Sequence, residues 1–433
     1  MSAPFSSSSS LPHIVIVGGG FGGLYTAQAL GDQPVRVTLI DKRNFHLFQP
    51  LLYQVATGSL SPSDIAAPLR SVLAKYENVS VLLDEVLDIN ATDQLLTLKT
   101  EPEALHYDYL VLATGSMTHF FGHDDWAKNS LELKTLESAL DMRRRVLDAF
   151  EKAERETDPK LQEAAMNFVI VGGGPTGVEL AGAVAELARY TLKHDFRRID
   201  CSTTKITLVE AAPRILSVYP ESLSRWTAEK LKQLGVTVLE ATQVTDIQPG
   251  CITLSKNGQT ETIQADTVLW GAGVKASGLG KILADKTGVE IDRGGRVIVE
   301  ADMSIKGYSN VFVIGDLASY SHTATQKPLP GVAPVAMQQG SYAAKCIMAN
   351  VRGFSSPRFE YVDKGSLAVI SFNEAVASIG KLQLTGFAAW MIWAFVHIFY
   401  LVEFDSKIVV LFQWGWSLLT QRRSARLITG SYD

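Results

Sequence analysis

At 433 residues, with 46% hydrophobic residues and 34 glycines, the chain has room for two or three domains and the composition of packed α/β layers. Its net charge of −5 argues against a nucleic-acid binder. Three cysteines, Cys201, Cys251 and Cys346, stand far apart with no C-x-x-C pair, so a disulfide framework, a zinc site and a dithiol redox centre all lack support and a reducing compartment is expected.

In chain order, residues 1–12 are serine-rich, without a basic n-region or an apolar h-region, and read as a disordered leader and not a signal peptide. A β-α-β unit follows over residues 13–41. The run Ile14-Val15-Ile16-Val17 reads as a buried parallel strand, Gly18-Gly19-Gly20-Phe21-Gly22-Gly23 opens a helix, and Asp41 closes the next strand. A lone G-x-G-x-x-G is weak, but strand, helix and acid together form a dinucleotide-binding fingerprint. Gly18 serves the tight turn, Gly20 the close approach of a pyrophosphate and Gly23 the helix packing, with Asp41 placed for ribose hydroxyls.

A polar, helical stretch to residue 76 leads to strands ending at Tyr109-Leu110-Val111-Leu112-Ala113-Thr114-Gly115. Residues 131–165 read as solvated helices, with Arg143, Arg144 and Arg145 on a surface face. The fingerprint then recurs: Phe168-Val169-Ile170-Val171 precedes Gly172-Gly173-Gly174-Pro175-Thr176-Gly177, and Glu210 closes the following strand. Two nucleotide sites imply two electron carriers. The second unit ends near Leu269-Trp270-Gly271-Ala272-Gly273, and Val311-Phe312-Val313-Ile314-Gly315-Asp316 reads as a returning strand of the first, so the second nucleotide domain is expected to be inserted in the first.

The tail is apolar and aromatic. Residues 387–402 run FAAWMIWAFVHIFYLV, residues 408–419 form a second run, and Arg422, Arg423 and Arg426 follow; four of the seven tryptophans lie between Trp390 and Trp416. The first run of 16 residues is short of the roughly 20 that a span needs, so helices lying in a membrane interface are expected, with basic residues near lipid headgroups. A buried core helix and a homodimer interface are the alternatives. His397 reads as a packed or interfacial residue, and no metal site is expected.

Beyond the fingerprints, three stretches carry a resemblance: Pro50-Leu51-Leu52-Tyr53-Gln54-Val55-Ala56-Thr57-Gly58, Ala333-Pro334-Val335-Ala336-Met337-Gln338-Gln339-Gly340, and the aromatic tail. With Ala113-Thr114-Gly115 and Gly315-Asp316, which two-dinucleotide flavoprotein reductases share, the chain resembles the type II NADH dehydrogenases, single-subunit, non-pumping NADH:quinone oxidoreductases. The resemblance covers nearly everything after residue 12. It implies two Rossmann-like domains: an FAD-binding domain over 13–125 and 300–380, an NADH-binding domain over 126–299, and membrane-associating helices over 381–433.

The resemblance places FAD on the first fingerprint, Gly18, Gly19, Gly20, Phe21, Gly22 and Gly23, with Asp41, Lys42, Val86, Thr114, Gly115, Asp316, Ala336 and Met337 around it. It places NADH on Gly172, Gly174, Gly177, Glu210 and Gly273. A carboxylate at Glu210 accepts from a ribose 2′-OH and repels a 2′-phosphate, which favours NADH, although Arg214 stands close enough in sequence to reach a phosphate. Glu179 reads either as a dipole-stabilised acid on the first helical turn or, by the resemblance, as a contact to the nicotinamide. The family's quinone motif, Ala-Gln-x-Ala-x-Gln-x-Gly, is matched over 333–340 except that Pro334 replaces the first glutamine; Gln338 remains as the amide for a quinone carbonyl. The isolated cysteines argue against disulfide and sulfide chemistry. The expected protein is thus a monotopic enzyme on the cytoplasmic face of a cell or inner membrane, passing electrons from NADH through FAD to a membrane quinone. A soluble NADH oxidase or diaphorase and a nucleotide-sensing flavoprotein remain as alternatives, and a homodimer is left open.

Overall fold

The computed structural model describes residues 11–321, 327–420, 423 and 425–428. The leader up to residue 10, and Arg422, lie outside them. The chain divides into two compact units, Met1–His46 with Ala67–Met117 and Val274–Asp363, and Leu47–Ala66 with Thr118–Gly273 and Lys364–Asp433.

The first unit is built on a six-stranded sheet in the order Ser304–Ile305, Tyr308–Val313, Tyr109–Leu112, His13–Val17, Arg36–Asp41, Val79–Leu83. All neighbours run parallel except the antiparallel edge strand Ser304–Ile305. His13–Val17 is buried along its whole length, as a strand covered on both faces must be, which explains its unbroken apolar run. Arg36–Asp41 follows this strand on one side and the later Tyr109–Leu112 returns to its other side, so Val17 pairs with both Ile40 and Leu112, and the crevice where a ligand sits in such sheets lies beyond its C-terminal end. Helix Phe21–Leu30 packs tightly on helix Ala333–Val351. A Cβ on Gly340 would stand 2.3 Å from the Gly22 carbonyl oxygen, and the Thr26 hydroxyl donates to the Gly340 carbonyl at 3.2 Å.

The second unit repeats the plan with a five-stranded parallel sheet, Leu131–Glu132, Thr267–Trp270, Asn167–Val171, Lys205–Val209, Val236–Leu239. Helix Pro175–Glu186 meets an antiparallel meander, Ser366–Ser371, Glu374–Ile379 and Leu382–Thr385, so closely that a Cβ on Gly182 would lie 1.7 Å from the Ile370 carbonyl oxygen. Helices Gly386–Tyr400 and Phe404–Thr420 complete the unit.

These boundaries differ from those expected from sequence. Residues 274–299 group with the first unit, because Leu279, Leu283, Val289 and Val297 pack into its core beside Ile89 and Leu96. Residues 364–380 group with the second through the meander; helix Gly386–Tyr400 packs on that meander, and helix Phe404–Thr420 packs on helix Gly386–Tyr400 and on the short helix Pro62–Ile65. The basic triplet is not uniformly superficial either: Arg144 and Arg145 pair with Asp141 on the surface of helix Leu136–Arg155, while Arg143 is buried.

Candidate functional site

The two fingerprints fold into near-copies of one turn. Gly18 and Gly172 take φ of +106° and +103°, values that L side chains rarely adopt. A Cβ on Gly23 would strike the Gly18 carbonyl oxygen at 1.8 Å, and one on Gly177 the Gly172 carbonyl oxygen at 1.7 Å, so both helix-opening turns require glycine. Gly20 and Gly174, by contrast, face open space, and each caps its helix with no side chain bonded to the free amides. Unfilled space before bare helix N-termini fits a pyrophosphate.

The acid that closes the second strand is tied into each turn. Asp41 accepts from the Gly19 amide at 2.5 Å and from the Arg43 amide at 2.7 Å; Glu210 accepts from the Gly173 amide at 2.5 Å and the Ala212 amide at 2.6 Å. Each carboxylate oxygen thus spends one lone pair on the backbone and keeps another for a ribose hydroxyl. Arg214 does not compete: its guanidinium donates to the carbonyls of Tyr219 and Ser217, both at 2.8 Å.

Around the first cradle, the Ser116 hydroxyl donates to Asp316 at 2.7 Å, the Thr114 and Ser277 hydroxyls meet at 2.5 Å, and Gly115 and Gly315 adopt φ of +67° and +69°. Ala336 and Met337 are buried, Val86 is half-buried and Lys42 is exposed. Two residues absent from the sequence reading hold this site. The His46 ring donates Nδ1–H to the Gly19 carbonyl at 2.9 Å, and burial holds its pKa down to about 4, so it is neutral. Gln339 accepts the Gly315 amide at 2.7 Å and so fixes the turn that presents Asp316. Its neighbour Gln338 is engaged differently, donating to the Val362 carbonyl at 2.9 Å and accepting the Val362 amide at 3.0 Å. In the second unit Gly273 takes φ of +64° beside the His119 carbonyl, where a Cβ would stand at 2.6 Å.

Glu179 lies beyond the first turn of helix Pro175–Glu186, which carries no acid, so the dipole-capping reading falls. It lines a cavity of the second unit together with Tyr53, Gln54, Glu186, Trp390, Trp393, Trp414 and Arg423. Burial pushes the Glu179 carboxyl up to about 8 and that of Glu186 to about 7, with Arg423 and the Phe372 amide pulling Glu186 back down. Trp414 Nε1–H donates to Gln54 Oε1 at 2.8 Å, and the Gln54 amide donates to the Tyr53 hydroxyl at 2.8 Å. Trp393, only 1% exposed, has an indole N–H with no hydrogen-bond partner among the described residues. Trp393 lines this cavity, which makes its unpaired N–H a candidate donor for a ligand oxygen.

The tail corrects two expectations. Trp390, Trp393 and Trp414 are buried and only Trp416 of the four is exposed, because three of the indoles wall the cavity. Arg423 is buried as well, against Glu186, while Arg426 pairs with Asp195. The exposed apolar residues are instead Phe387, Met391, Phe395, Phe399, Phe404 and Phe412, among others on the same two helices. Neither helix, nor any other among the described residues, is long and apolar enough to cross a membrane. His397 accepts its place by packing: its Nδ1–H donates to the Trp393 carbonyl at 2.7 Å, and Phe48 meets its ring edge-on.

Comparison with known proteins places these features. Residues 12–340 match the family model for pyridine nucleotide-disulphide oxidoreductases. Over 96% of the chain, two proteins of Mycobacterium tuberculosis, the type II NADH:quinone oxidoreductases Ndh and NdhA, are 42% and 43% identical, with 90% and 89% of their own lengths covered. The fold matches NDH2 of Plasmodium falciparum, solved in complex with NADH, at a TM-score of 0.87 and 22% identity over 97% of this chain and all of that one. A sulfide:quinone oxidoreductase of Aquifex aeolicus shares it at 0.73 and 20% over 90% of each chain. The chain belongs to the pyridine nucleotide-disulphide oxidoreductase family and, within it, to the type II NADH:quinone oxidoreductases.

Proposed function

We propose that this chain oxidises NADH and reduces a membrane quinone, with FAD on the Gly18–Gly23 cradle, NADH on the Gly172–Gly177 cradle and the quinone head in the cavity walled by Glu179 and Trp393. When bound, FAD supplies the two-electron relay between the hydride donor and the quinone, and no proton translocation accompanies it. Asp41 holds the ribose of the first nucleotide and Glu210 that of the second, where its charge turns away a 2′-phosphate. Asp316, presented by Gln339 and Ser116, orients the first cofactor, with Thr114, Gly115, Val86, Ala336 and Met337 lining it. Cys201 and Cys346 are buried, and burial raises the pKa of each, which disfavours the reactive thiolate at both.

The observation that carries the acceptor assignment is that one cavity is lined both by Trp393, whose buried indole N–H has no partner among the described residues, and by Glu179, whose carboxyl burial pushes up to about 8. A quinone carbonyl accepts from such a donor, and its reduction consumes two protons, of which Glu179 can deliver one and recover it from solvent. Gln338 spends one N–H and one oxygen lone pair on Val362 and keeps a second N–H that could meet a quinone carbonyl.

The exposed phenylalanine face of the two tail helices supports peripheral attachment to a bilayer, on the cytoplasmic side where NADH is available. A soluble oxidase has no use for that face. The test is sedimentation with anionic phospholipid vesicles: changing Phe395, Phe399 and Phe412 to serine should release the protein while NADH oxidation with a soluble acceptor persists. Full retention on vesicles in high salt would remove the membrane assignment.

A further inference from the structure

Glu179 and Glu186 stand two turns apart on one face of helix Pro175–Glu186, and both line the cavity. Burial raises the proton affinity of both carboxyls, and ionising both would put two anions in one low-dielectric space. Only one of them has a cationic partner. Arg423 reaches in from the C-terminal segment, donates Nη2–H to Glu186 at 2.8 Å and Nη1–H to the Thr57 carbonyl at 3.0 Å, and lies over the Phe372 ring at 5.9 Å. The other Glu186 oxygen accepts the Phe372 amide. Two residues beyond Arg423, the Ala425 amide donates to the Gly58 carbonyl at 3.2 Å. Glu179, by contrast, has one long hydrogen bond among the described residues, from the Val369 amide at 3.4 Å.

We propose that Arg423 is a positioning residue of the acceptor cavity: by pairing with Glu186 it fixes the ionised carboxylate there and leaves Glu179 as the one carboxyl that carries an exchangeable proton. The proposal rests on the reading that this cavity takes the quinone. It deepens that reading by giving the C-terminal segment a part in the chemistry through a buried ion pair. A buried pair of this kind need not add net stability, but breaking it by removing one partner strands the other charge, which escapes by binding a proton.

That consequence can be measured. In the parent, reoxidation of the reduced enzyme by a water-soluble benzoquinone should fall along a one-proton alkaline limb, about tenfold per pH unit, as Glu179 ionises. In Arg423→Gln, Glu186 must also stay protonated for the cavity to remain free of an unpaired charge, so the limb should steepen toward about a hundredfold per pH unit. The double variant Arg423→Gln with Glu186→Gln carries neither charge, and its limb should return to one proton. Infrared titration of the same variants gives a readout independent of turnover: near neutral pH Arg423→Gln should show an additional protonated-carboxyl band that the double variant lacks.

A uniform slowing in Arg423→Gln at every pH, with an unchanged limb, no new band and no recovery in the double variant, would reduce Arg423 to a tether and overturn the proposal. Failure of the underlying reading looks different. Glu179→Gln would then leave quinone reoxidation and its pH profile untouched, whatever Arg423 does.

Discussion

The Gly173 amide donates to the Glu210 carboxylate at 2.5 Å, and this one bond couples the glycine turn of the second fingerprint to the acid that closes the following strand. Glu210→Gln removes the charge and keeps one acceptor oxygen for the turn. NADH should remain the better substrate, but its advantage over NADPH in kcat/KM should shrink about tenfold, because the repulsion of a 2′-phosphate is gone. Steady-state kinetics with both nucleotides checks this, and equal use of NADPH by the parent would overturn the assignment.

The two cradles should fail separately. Gly177→Ala drives a Cβ into the Gly172 carbonyl oxygen, so it should leave bound flavin in place and slow its reduction by NADH severely. Gly23→Ala makes the same clash in the first unit and should yield protein with little flavin. Flavin absorbance of the purified variants and stopped-flow reduction by NADH distinguish them; loss of flavin in both would mean that the two turns are not independent sites.

Protonation of the buried carboxyls should show in stability as well as rate. Glu179 has a folded value raised to about 8 from an ordinary 4.5, so the folded state binds its proton more tightly than the unfolded chain. Its contribution is fully present below 4.5 and is lost as pH rises through about 8. Tm measured across that range should fall more in the parent than in Glu179→Gln. Identical slopes would show that Glu179 keeps its charge on folding.

Gln338 holds Val362 by two hydrogen bonds, so Gln338→Leu should lower stability by about 1–2 kcal/mol and leave reduction by NADH unchanged. Slower reoxidation by quinone at equal flavin content would place this amide on the acceptor; unchanged reoxidation would leave it a clasp.

Much of this was legible in the sequence because glycine and a terminal acid are demanded by the backbone itself. Gly18, Gly23, Gly172 and Gly177 have no substitute at their φ or their contacts, and Asp41 and Glu210 stand where the strand ends. The pairings that escaped notice act through distance in the chain. His46 reaches Gly19, Gln339 reaches Gly315 and Arg423 reaches Glu186, 237 positions away, and no local spacing announces such pairs. The tryptophans misled for a related reason. An aromatic run suggests an interface, but helix Gly386–Tyr400 turns Trp390 and Trp393 inward and its phenylalanines outward, a division that composition alone does not reveal.

The central claim is tested most directly by anaerobic stopped flow on the flavin-loaded protein. NADH should bleach the flavin absorbance at a stoichiometry near one per flavin, and a subsequent mix with quinone should restore it within the turnover time. A flavin that NADH fails to bleach, or that quinone fails to restore once bleached, would contradict the assignment of this chain as an NADH:quinone oxidoreductase.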